Sequence, residues 1–342
     1  MNITTDQIEH IDGRPVVASV SGGKDSTALS LWLTENGVEH TRIHMDTGWE
    51  HPDTEEYLRD YLPGVLGPIT VLGRPGGMRG LIEGRGGLPP RRLRRYCTIE
   101  LKVQLASTFC DALPESPVSA VGVRADESAK RAAMTEWEQM KGVDAETWRP
   151  LLRWTYDDVI AIHKRHGVRP NPLYLRGHNR VGCWPCIHAK KAEIRLMASD
   201  PVMPLRERVA PLEQRMAQLS DRRVTEMREH ALRLVRDGAT DPREIARELG
   251  KTRQVFPGQV RAAEAALAHE EDGAPLLSGH QPPTWFQGPS GSHSWPIDKV
   301  IAWSKTSNKG PNRGKQIDLF AAPPGDEGCV RWGMCDTGTA DE

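Results

Sequence analysis

The feature that most constrains this chain is a glycine turn between a short apolar run and a helical pattern. Residues 16–20 read Val-Val-Ala-Ser-Val, the turn Ser21–Ser26 reads Ser-Gly-Gly-Lys-Asp-Ser, and apolar residues at helical spacing continue to about Leu33. Glycines let backbone N–H groups approach a ligand closely, and a helix N-terminus adds a partial positive charge. The pattern predicts a phosphate-binding loop, with a turn that binds nothing as the alternative. Its candidate ligand-binding residues are Ser21, Gly22, Gly23, Lys24, Asp25 and Ser26.

Length and charge limit the class of protein. The 342 residues suffice for one large domain and a smaller one, or for two domains. The formal net charge of −1 gives no global attraction to nucleic acid, so any basic surface must be local. No apolar run approaches the roughly 20 residues of a membrane span, and the polar start up to Arg14 lacks a signal-peptide core. We expect a cytoplasmic protein with no membrane partner.

The glycine turn sits inside a predicted strand–helix–strand unit. Residues 15–20 and 41–46 have strand composition, and residues 25–36 between them are helical in pattern. Such a unit indicates a parallel sheet with its ligand at the carboxyl ends of the strands. Asp46 ends the second strand, where it would suit a ribose, a base or a magnesium ion; organising a turn is its alternative role.

Further strands are predicted at residues 69–72 and 119–123. Two arginines follow the second of these, Arg124 and Arg131, and they would face the crevice where an anionic ligand lies. Gly122 lies in that strand, two residues before Arg124. A predicted helix, about Tyr156 to His166, has Thr155 as its N-cap.

A glycine- and arginine-rich stretch runs from Gly73 to Arg95 without hydrophobic periodicity. We expect a mobile loop that closes over a phosphorylated or sulfonated ligand, and a solvated charge run is the alternative. Its arginines are Arg74, Arg79, Arg85, Arg91, Arg92, Arg94 and Arg95.

The six cysteines indicate a metal site before they indicate disulfides, provided that the compartment is reducing. Cys183-x-x-Cys186 lies on a predicted tight turn, which places two thiolates on one side of a metal. A redox pair is the weaker reading of that motif. Cys110 lies on an apolar helix face and is expected in the core.

The C-terminal third has a different composition. Residues 205–235 predict a solvated amphipathic helix, and residues 241–267 are similar to a helix-turn-helix that would bind DNA through Arg253, Gln254 and Arg261. A packing hairpin is the alternative. We expect three parts: residues 1–203 with the loop and the Cys-x-x-Cys turn, a helical region 204–270, and a Gly/Pro-rich basic tail 271–342. Basic and aromatic side chains alternate in this tail and would suit a single nucleic-acid strand, or else pack on the domain. They are Trp285, Trp295, Lys299, Trp303, Lys305, Lys309, Arg313 and Lys315.

The order of these motifs resembles the phosphoadenylyl-sulfate (PAPS) reductase family, and the glycine turn resembles the PP-loop of ATP pyrophosphatases. The matching segments are Ser21–Ser26, Asp46–Gly48, Arg95–Thr98 with Leu101–Lys102, Gly122–Arg124 with Glu127–Ser128 and Arg131, Pro150–Thr155, Asn171–Tyr174 and Gly182–Cys186. The resemblance implies an α/β fold with a doubly wound parallel sheet of the adenine nucleotide α-hydrolase type, here followed by a helical C-terminal extension.

Departures from the family's reductases favour a branch that uses ATP itself. The phosphate loop is complete, Cys97 stands alone where the iron–sulfur reductases carry a cysteine pair, and the tail lacks their Glu-Cys-Gly motif. The chain is similar in these respects to the sulfur-incorporating ATPases of DNA phosphorothioation (the DndC type). That likeness implies cleavage of magnesium-bound ATP to AMP and pyrophosphate, with Lys24, Asp25, Ser26 and Asp46 as catalytic residues. The alternatives are a sulfonucleotide reductase and a DNA-binding accessory protein that uses ATP as a regulatory ligand.

The resemblance also implies a 4Fe–4S cluster on Cys97, Cys183 and Cys186, with Cys329 or Cys335 as a possible fourth ligand. With three thiolates only, an open iron would hold sulfide delivered by a donor such as a cysteine desulfurase. The alternative is a structural Zn2+ held by Cys183, Cys186, Cys329 and Cys335. His188 is close enough in sequence to compete as a ligand, although a helix-surface position is the simpler expectation.

Overall fold

The computed structural model describes residues 2–139, 145–250, 283–287 and 294–306. These residues fall into two compact units. The first takes in the described residues within 1–78, 91–205 and from 301 onward, and the second those within 79–90 and 206–300. The expected division at residues 203 and 270 stays a prediction, and Cys329 and Cys335 lie outside the described residues.

The first unit is built on a six-stranded sheet, as the α/β prediction requires. Its strands are β1 (Val16–Ser19), β2 (Thr41–Asp46), β3 (Ile69–Gly73), β4 (Val118–Ala120), β5 (Trp137–Gln139) and β6 (Glu146–Trp148). The strand order is β3-β2-β1-β4-β6-β5, and only β5 runs antiparallel to its neighbour. Strands β2 and β3 extend the sheet on one side of β1, and β4 then pairs on the other side. The doubly wound sheet is therefore confirmed, and its topological switch point lies between β1 and β4.

Helices pack on both faces of this sheet. The helices up to residue 198 are α1 (Thr5–Ile11), α2 (Lys24–Glu35), α3 (Pro52–Glu56), α4 (Leu62–Leu66), α5 (Gly77–Glu83), α6 (Tyr96–Thr98), α7 (Gln104–Asp111), α8 (Ala129–Ala132), α9 (Tyr156–Arg165), α10 (Pro172–Leu175) and α11 (Lys191–Ala198). Wider π-type turns, Tyr57–Tyr61 and Ile99–Val103, join α3 to α4 and α6 to α7. The helix predicted from Tyr156 is confirmed, and Thr155 caps it by accepting the N–H of Asp158.

The core follows from the alternation of side chains along β1. Val16 and Ala18 face one side, where they pack with Leu29 and Leu33 of α2. Val17 faces the other side and packs in a cluster with Ile43 and Cys110. A strand buried on both faces has to be apolar throughout, which is why residues 16–18 are Val-Val-Ala. Cys110 is buried and free, as expected for a core residue.

The second unit is mainly helical. Helix α12 (Leu205–Arg236) confirms the predicted long amphipathic helix, and α13 (Pro242–Gly250) packs Ile245 and Ala246 against Ala231. The remainder of the helix-turn-helix pattern, with Arg253, Gln254 and Arg261, lies outside the described residues. A short antiparallel pair, β7 (Phe286–Gln287) and β8 (Ser294–Trp295), precedes α14 (Ile297–Lys305).

Two sequence expectations need comment. The stretch from Gly73 to Arg95 is not wholly a loop, because α5 forms within it; the prediction from missing periodicity was wrong for these seven residues. In the basic and aromatic tail, the Lys299 ammonium lies 4.7 Å from the Trp295 ring. Lys309, Arg313 and Lys315 lie outside the described residues. Across the part of the chain that the structure covers, no helix has the length and apolar character of a membrane span.

Candidate active site

The glycine turn connects β1 to α2 at the switch point of the sheet. Gly22 has φ +71°, a left-handed conformation that favours glycine, and Gly23 is the N-cap of α2 without a side-chain cap. The Ser26 hydroxyl accepts the N–H of Ser21 at 3.1 Å and donates to the Gly23 carbonyl at 3.0 Å. The turn is therefore held by its own serine, and the start of α2 faces the crevice where ligands bind in such sheets.

Three charged groups are packed together here, two from the turn and one from the segment after β4. The Asp25 carboxylate lies 3.1 Å from the Lys24 ammonium and 2.5 Å from the Arg124 Nε, and the Arg124 side chain is only 3% exposed. Burial by itself would raise the pKa of Asp25, but the charges of Lys24 and Arg124 outweigh it and the pKa is lowered. Asp25 thus stays ionised and pairs with both cations. This ion pairing connects the segment after β1 to the segment after β4.

Gly122 allows this union because it lets the end of β4 approach the start of α2. A Cβ at Gly122 would lie 2.6 Å from the carbonyl oxygen of Asp25 and 3.0 Å from the N–H nitrogen of Ser26. Both neighbours are backbone atoms. The structure therefore brings together all of the expected loop residues with Gly122 and Arg124. Arg131 is ion-paired with Glu127.

Asp46 lies at the carboxyl end of β2, the strand next to β1. Its Oδ1 accepts the Gly48 N–H at 2.7 Å, so it organises the turn that follows the strand. Its side chain forms no ion pair within the described residues. The turn role and a ligand role remain compatible, because a carboxylate has further acceptor sites.

Residues of α10, which carried no assigned role in the sequence, hold the turn from outside. The Asn171 side-chain amide donates to the Gly22 carbonyl and to the Thr54 hydroxyl, both at 3.2 Å. The Tyr174 hydroxyl accepts the Lys24 N–H at 3.0 Å, and the Lys24 ammonium reaches the Asn179 carbonyl at 3.3 Å. The Asn-Pro-Leu-Tyr segment was visible as a motif, but only the fold shows what it contacts.

Three cysteines act electrostatically on Lys102, which lies in the π-type turn after α6. Cys97 lies in α6, whereas Cys183 and Cys186 lie on the turn before α11. Their charges, that of Cys183 above all, and that of Glu50 raise the pKa of Lys102. Burial in turn raises the pKa of Cys183 to about 11, although Lys102 opposes it. The Cys183 Sγ lies 3.7 Å from the Thr47 hydroxyl, which donates to Glu50.

The cysteine neighbourhood is compatible in chemistry with a thiolate-bound metal. Three thiols act electrostatically on one cation, and thiolates are the ligands that iron–sulfur clusters require. Even so, within the described residues no three histidine, cysteine, aspartate or glutamate side chains are grouped closely enough to hold an ion. His188 donates its backbone N–H to the Cys186 sulfur, and its Nε2 is buried without a hydrogen-bond partner in the described chain.

A network of buried polar side chains positions the cysteine turn. The Trp184 backbone N–H donates to the Trp49 carbonyl at 2.6 Å, and the Trp184 ring contacts those of His51 and His178. The His51 Nε2 lies 3.0 Å from Asp200, which also pairs with Arg176. These residues join the turn after β2 to the turn before α11. No sequence pattern distinguished them.

Arginines act electrostatically on the segment that follows the cysteine turn. Burial lowers the pKa of His188, and the positive charges of Arg92, Arg95 and Arg180 lower it further. A small cavity beside the turn is lined by Arg180, Cys183 and Cys186, among others. An anionic group bound near the cysteines would therefore meet guanidinium groups.

Comparison with known proteins gives a consistent family match. Residues 15–189 match the model of the phosphoadenosine phosphosulfate reductase domain. An uncharacterized 37.8 kDa protein of Escherichia phage 186 is 36% identical over 52% of this chain and 68% of its own length. Adenosine 5'-phosphosulfate reductases of Streptomyces coelicolor and Burkholderia cepacia are 38% and 35% identical, over 42% and 28% of this chain. The chain spans 60% and 38% of the lengths of those two reductases.

Solved structures with a similar arrangement have low sequence identity to this chain. The phosphoadenylyl-sulfate reductase of Candida auris aligns with a TM-score of 0.41 at 16% identity, over 54% of this chain and 98% of its own. The FMN adenylyltransferase of Candida glabrata aligns with a TM-score of 0.39 at 16% identity, over 52% and 59%.

Proposed function

The chain belongs to the phosphoadenosine phosphosulfate reductase domain family, and from that premise we propose that it is an ATP pyrophosphatase that adenylates an acceptor. An acceptor oxygen would attack the α-phosphorus of ATP, the bond to the bridging oxygen would break, and pyrophosphate would leave. The acceptor would then carry AMP on its oxygen. When a sulfur nucleophile displaces that oxygen, AMP departs with it, and the net result is sulfur incorporation.

One observation carries this proposal: the phosphate loop is complete in sequence and in geometry. The left-handed Gly22, the uncapped start of α2 and the Ser21–Ser26 hydroxyl pair, 3.2 Å apart, form a site for an anion at the switch point. Lys24 belongs to the same turn, and its charge would stabilise the pyrophosphate as it leaves. Arg124 and Arg131 follow β4 on the other side of that point.

Two cofactors go with this reaction. A magnesium ion would travel with ATP, and Asp46, at the end of β2, is the carboxylate that we assign to it. Cys97, Cys183 and Cys186 would hold a 4Fe–4S cluster, and Cys329 or Cys335 could complete it. Such a cluster supplies redox chemistry and, with an open iron, a place for sulfide. A donor such as a cysteine desulfurase would deliver the sulfur. DNA is the acceptor that the likeness to phosphorothioation ATPases favours.

The direct test replaces Lys24 with alanine and measures AMP and pyrophosphate formed from ATP. We expect Lys24→Ala to slow pyrophosphate release about 100-fold or more, as for removal of one preorganised charge. Lys164→Ala, on the exposed side of α9, is the matched control and should turn over normally. An unchanged rate in Lys24→Ala would contradict the mechanism.

A sulfonucleotide reductase is the second candidate, because the two bacterial reductases named above are 38% and 35% identical to this chain. In that reaction a cysteine thiolate attacks the sulfur of the sulfonucleotide, AMP leaves, and a thiol reductant releases sulfite. The assay is sulfite formation from adenosine 5'-phosphosulfate. Sulfite release that is lost in Cys335→Ser, with no AMP from ATP, would replace the first proposal by this one.

Metal analysis tests the assignment of the cysteines. Protein purified without oxygen should contain about four iron and four sulfide per chain if the cluster is present. Cys183→Ser should lose the iron, whereas Cys110→Ser should keep it, because Cys110 is a core residue. One zinc and no iron would favour the structural alternative, which Cys329→Ser and Cys335→Ser would then disrupt. Retained iron in these two variants would support ligation by three protein thiolates.

A further inference from the structure

The segment Arg91–Arg95, here called the arginine turn, presents four arginines around one exposed leucine. The Arg91 N–H donates to the Arg94 carbonyl at 3.2 Å, and the Arg94 N–H donates to the Arg91 carbonyl at 3.0 Å. Leu93 at its tip is 99% exposed. The reciprocal hydrogen bonds fix the backbone, so the side chains are presented by an ordered turn.

Three arginines of the turn, Arg92, Arg94 and Arg95, differ from the paired arginines of the unit because their exposed guanidinium groups lack acidic partners in the described part of the chain. Arginines elsewhere commonly face a carboxylate, as Arg124 faces Asp25 and Arg165 faces Glu35. Within the described residues, the side chains of Arg92, Arg94, Arg95 and Arg180 form no ion pair and no hydrogen bond. In a chain whose net charge is −1, these unpaired cations create a local positive surface.

This positive surface lies beside the candidate active site. The turn leads directly into α6, which carries Cys97, because Arg95 is the N-cap of that helix and its carbonyl accepts the Thr98 N–H at 3.0 Å. Arg180, from the segment after α10, lines the small cavity that Cys183 and Cys186 share. A ligand on the arginine turn would thus lie next to the helix that carries Cys97.

We propose that the arginine turn, together with Arg180, docks the phosphodiester backbone of a nucleic acid beside the active site. This inference rests on the proposed function, and it assigns the surface that would bind the acceptor. Guanidinium groups bind phosphate oxygens in a bidentate manner, and adjacent ones suit a polymer with a phosphate at every step. Leu93 between them offers an apolar contact to a base or sugar.

A small nucleotide is a poorer match for the same surface. The phosphate groups of a mononucleotide would bind at the switch point, where the cationic side chains of Lys24 and Arg124 are buried. The arginines of the turn are exposed, repeated in sequence and separated by an apolar side chain. An acidic protein surface would pair with the arginines but would not require the apolar Leu93 between them. The experiment distinguishes such a surface from a nucleic acid.

The experiment measures binding of the full chain to labelled probes by fluorescence anisotropy at several salt concentrations. The probes are a single-stranded DNA of about 20 nucleotides, its duplex, an RNA of the same sequence and a poly-glutamate of similar charge. The triple variant Arg92→Ala, Arg94→Ala, Arg95→Ala removes the turn's exposed charges. A charge-matched control, Arg59→Ala, Arg165→Ala, Arg222→Ala, removes three exposed arginines that face carboxylates.

We expect wild type to bind a nucleic-acid probe and the triple variant to bind it at least about tenfold more weakly. The slope of log K against log salt should become shallower by about 2 for a single strand or about 3 for a duplex, because three phosphate contacts are lost. In the control variant, the loss of affinity and the change of slope should each be no more than about a third of those in the triple variant. Preference among the DNA and RNA probes identifies the acceptor strand.

Three results would overturn the inference: no nucleic-acid binding by wild type, equal losses in the triple variant and the control, or poly-glutamate bound as tightly as any oligonucleotide. ATP cleavage is measured on the same samples. Normal nucleic-acid binding without AMP formation would reject the proposed function alone, whereas AMP formation with unchanged binding in the triple variant would reject only the docking surface. A triple variant with a raised KM for ATP and unchanged oligonucleotide binding would assign these arginines to the mononucleotide.

Discussion

At the scale of single residues, Gly122 shows how the site depends on two backbones that nearly touch. The end of β4 approaches the first turn of α2 so closely that there is no room for a methyl group. Neither neighbour can rotate away, because both are main-chain atoms in regular structure. This approach lets Arg124 reach Asp25, and it explains why a glycine immediately precedes the Val-Arg pair.

Gly122→Ala should therefore reduce both stability and nucleotide binding. We expect the free energy of unfolding to fall by about 1–3 kcal/mol, as for other overpacked sites, because a Cβ would push α2 away from β4. Urea denaturation measures the first effect and titration with ATP the second. Gly64→Ala is the control, since nothing lies within 4 Å of a Cβ there and its helix favours alanine. Equal stability of the two variants would contradict the interpretation.

At the scale of elements, the four-residue helix α10 and its N-cap residue contact the phosphate loop at two points. Asn171 caps it by accepting the Leu173 N–H at 3.0 Å, and the same side chain donates to the carbonyl of Gly22. Tyr174, one turn later, accepts the Lys24 N–H. A short helix is unstable alone, so α10 and the phosphate loop stabilise each other.

Asn171→Ala tests this coupling. It removes an N-cap, which costs about 1 kcal/mol, and it also frees the carbonyl of Gly22 and the Thr54 hydroxyl. Thr155→Ala removes the cap of α9 without touching the loop and serves as the matched control. We expect both variants to lose stability, but only Asn171→Ala to bind ATP about tenfold more weakly, the value of one hydrogen bond. Equal ATP affinity in both would show that the cap is purely structural.

At the scale of the whole molecule, buried histidines couple folding to pH. His163 of α9 is 1% exposed, and its Nδ1 lies 2.7 Å from the Val159 carbonyl. Burial lowers the pKa of His163 from 6.5 to about 4. Burial likewise lowers the pKa of His178 to about 4. Both rings are therefore neutral in the folded protein at pH values where an unfolded histidine is charged.

The sign of this effect predicts a loss of stability in mild acid. A histidine with a depressed pKa contributes its full stability above pH 6.5, and the contribution is lost as the pH falls toward 4. From pH 7.5 to 5, His163 alone should account for about 2 kcal/mol. Urea midpoints across that range measure the slope, and His163→Gln should flatten it. An unchanged slope in the variant would assign the acid sensitivity to other groups.

A second acid transition should follow below pH 4, where carboxylates titrate. The hydrogen bond from Arg165 lowers the pKa of Glu35 to about 2. For Asp200, burial opposes the shift, but hydrogen bonds from the Met203 N–H and from His51 bring the pKa to about 2. These depressed pKa values also contribute stability that is lost as the pH falls, so the two transitions have the same sign.

Local pattern was enough to predict the elements around the site. The strands near 16–20, 41–46 and 69–72, the helix predicted over 25–36, the helix from Tyr156 and the long helix from 205 all form as expected. Each is specified by its own side-chain periodicity and by a nearby turn or cap. The stretch around α5 was missed because its apolar face is short: only Met78, Leu81 and Ile82 form it, between glycines and arginines.

The sequence by itself determined the phosphate loop, the parallel sheet and the candidate residues, because these depend on neighbours within one strand–turn–helix unit. Only the tertiary structure decided that Asp25 pairs with Arg124, that Asn171 and Tyr174 hold the loop, and that three cysteines act electrostatically on Lys102. Those contacts join segments far apart in the chain. No local rule specifies them, since they result from the strand order and from the way buried charges and polar groups find partners once the sheet has formed.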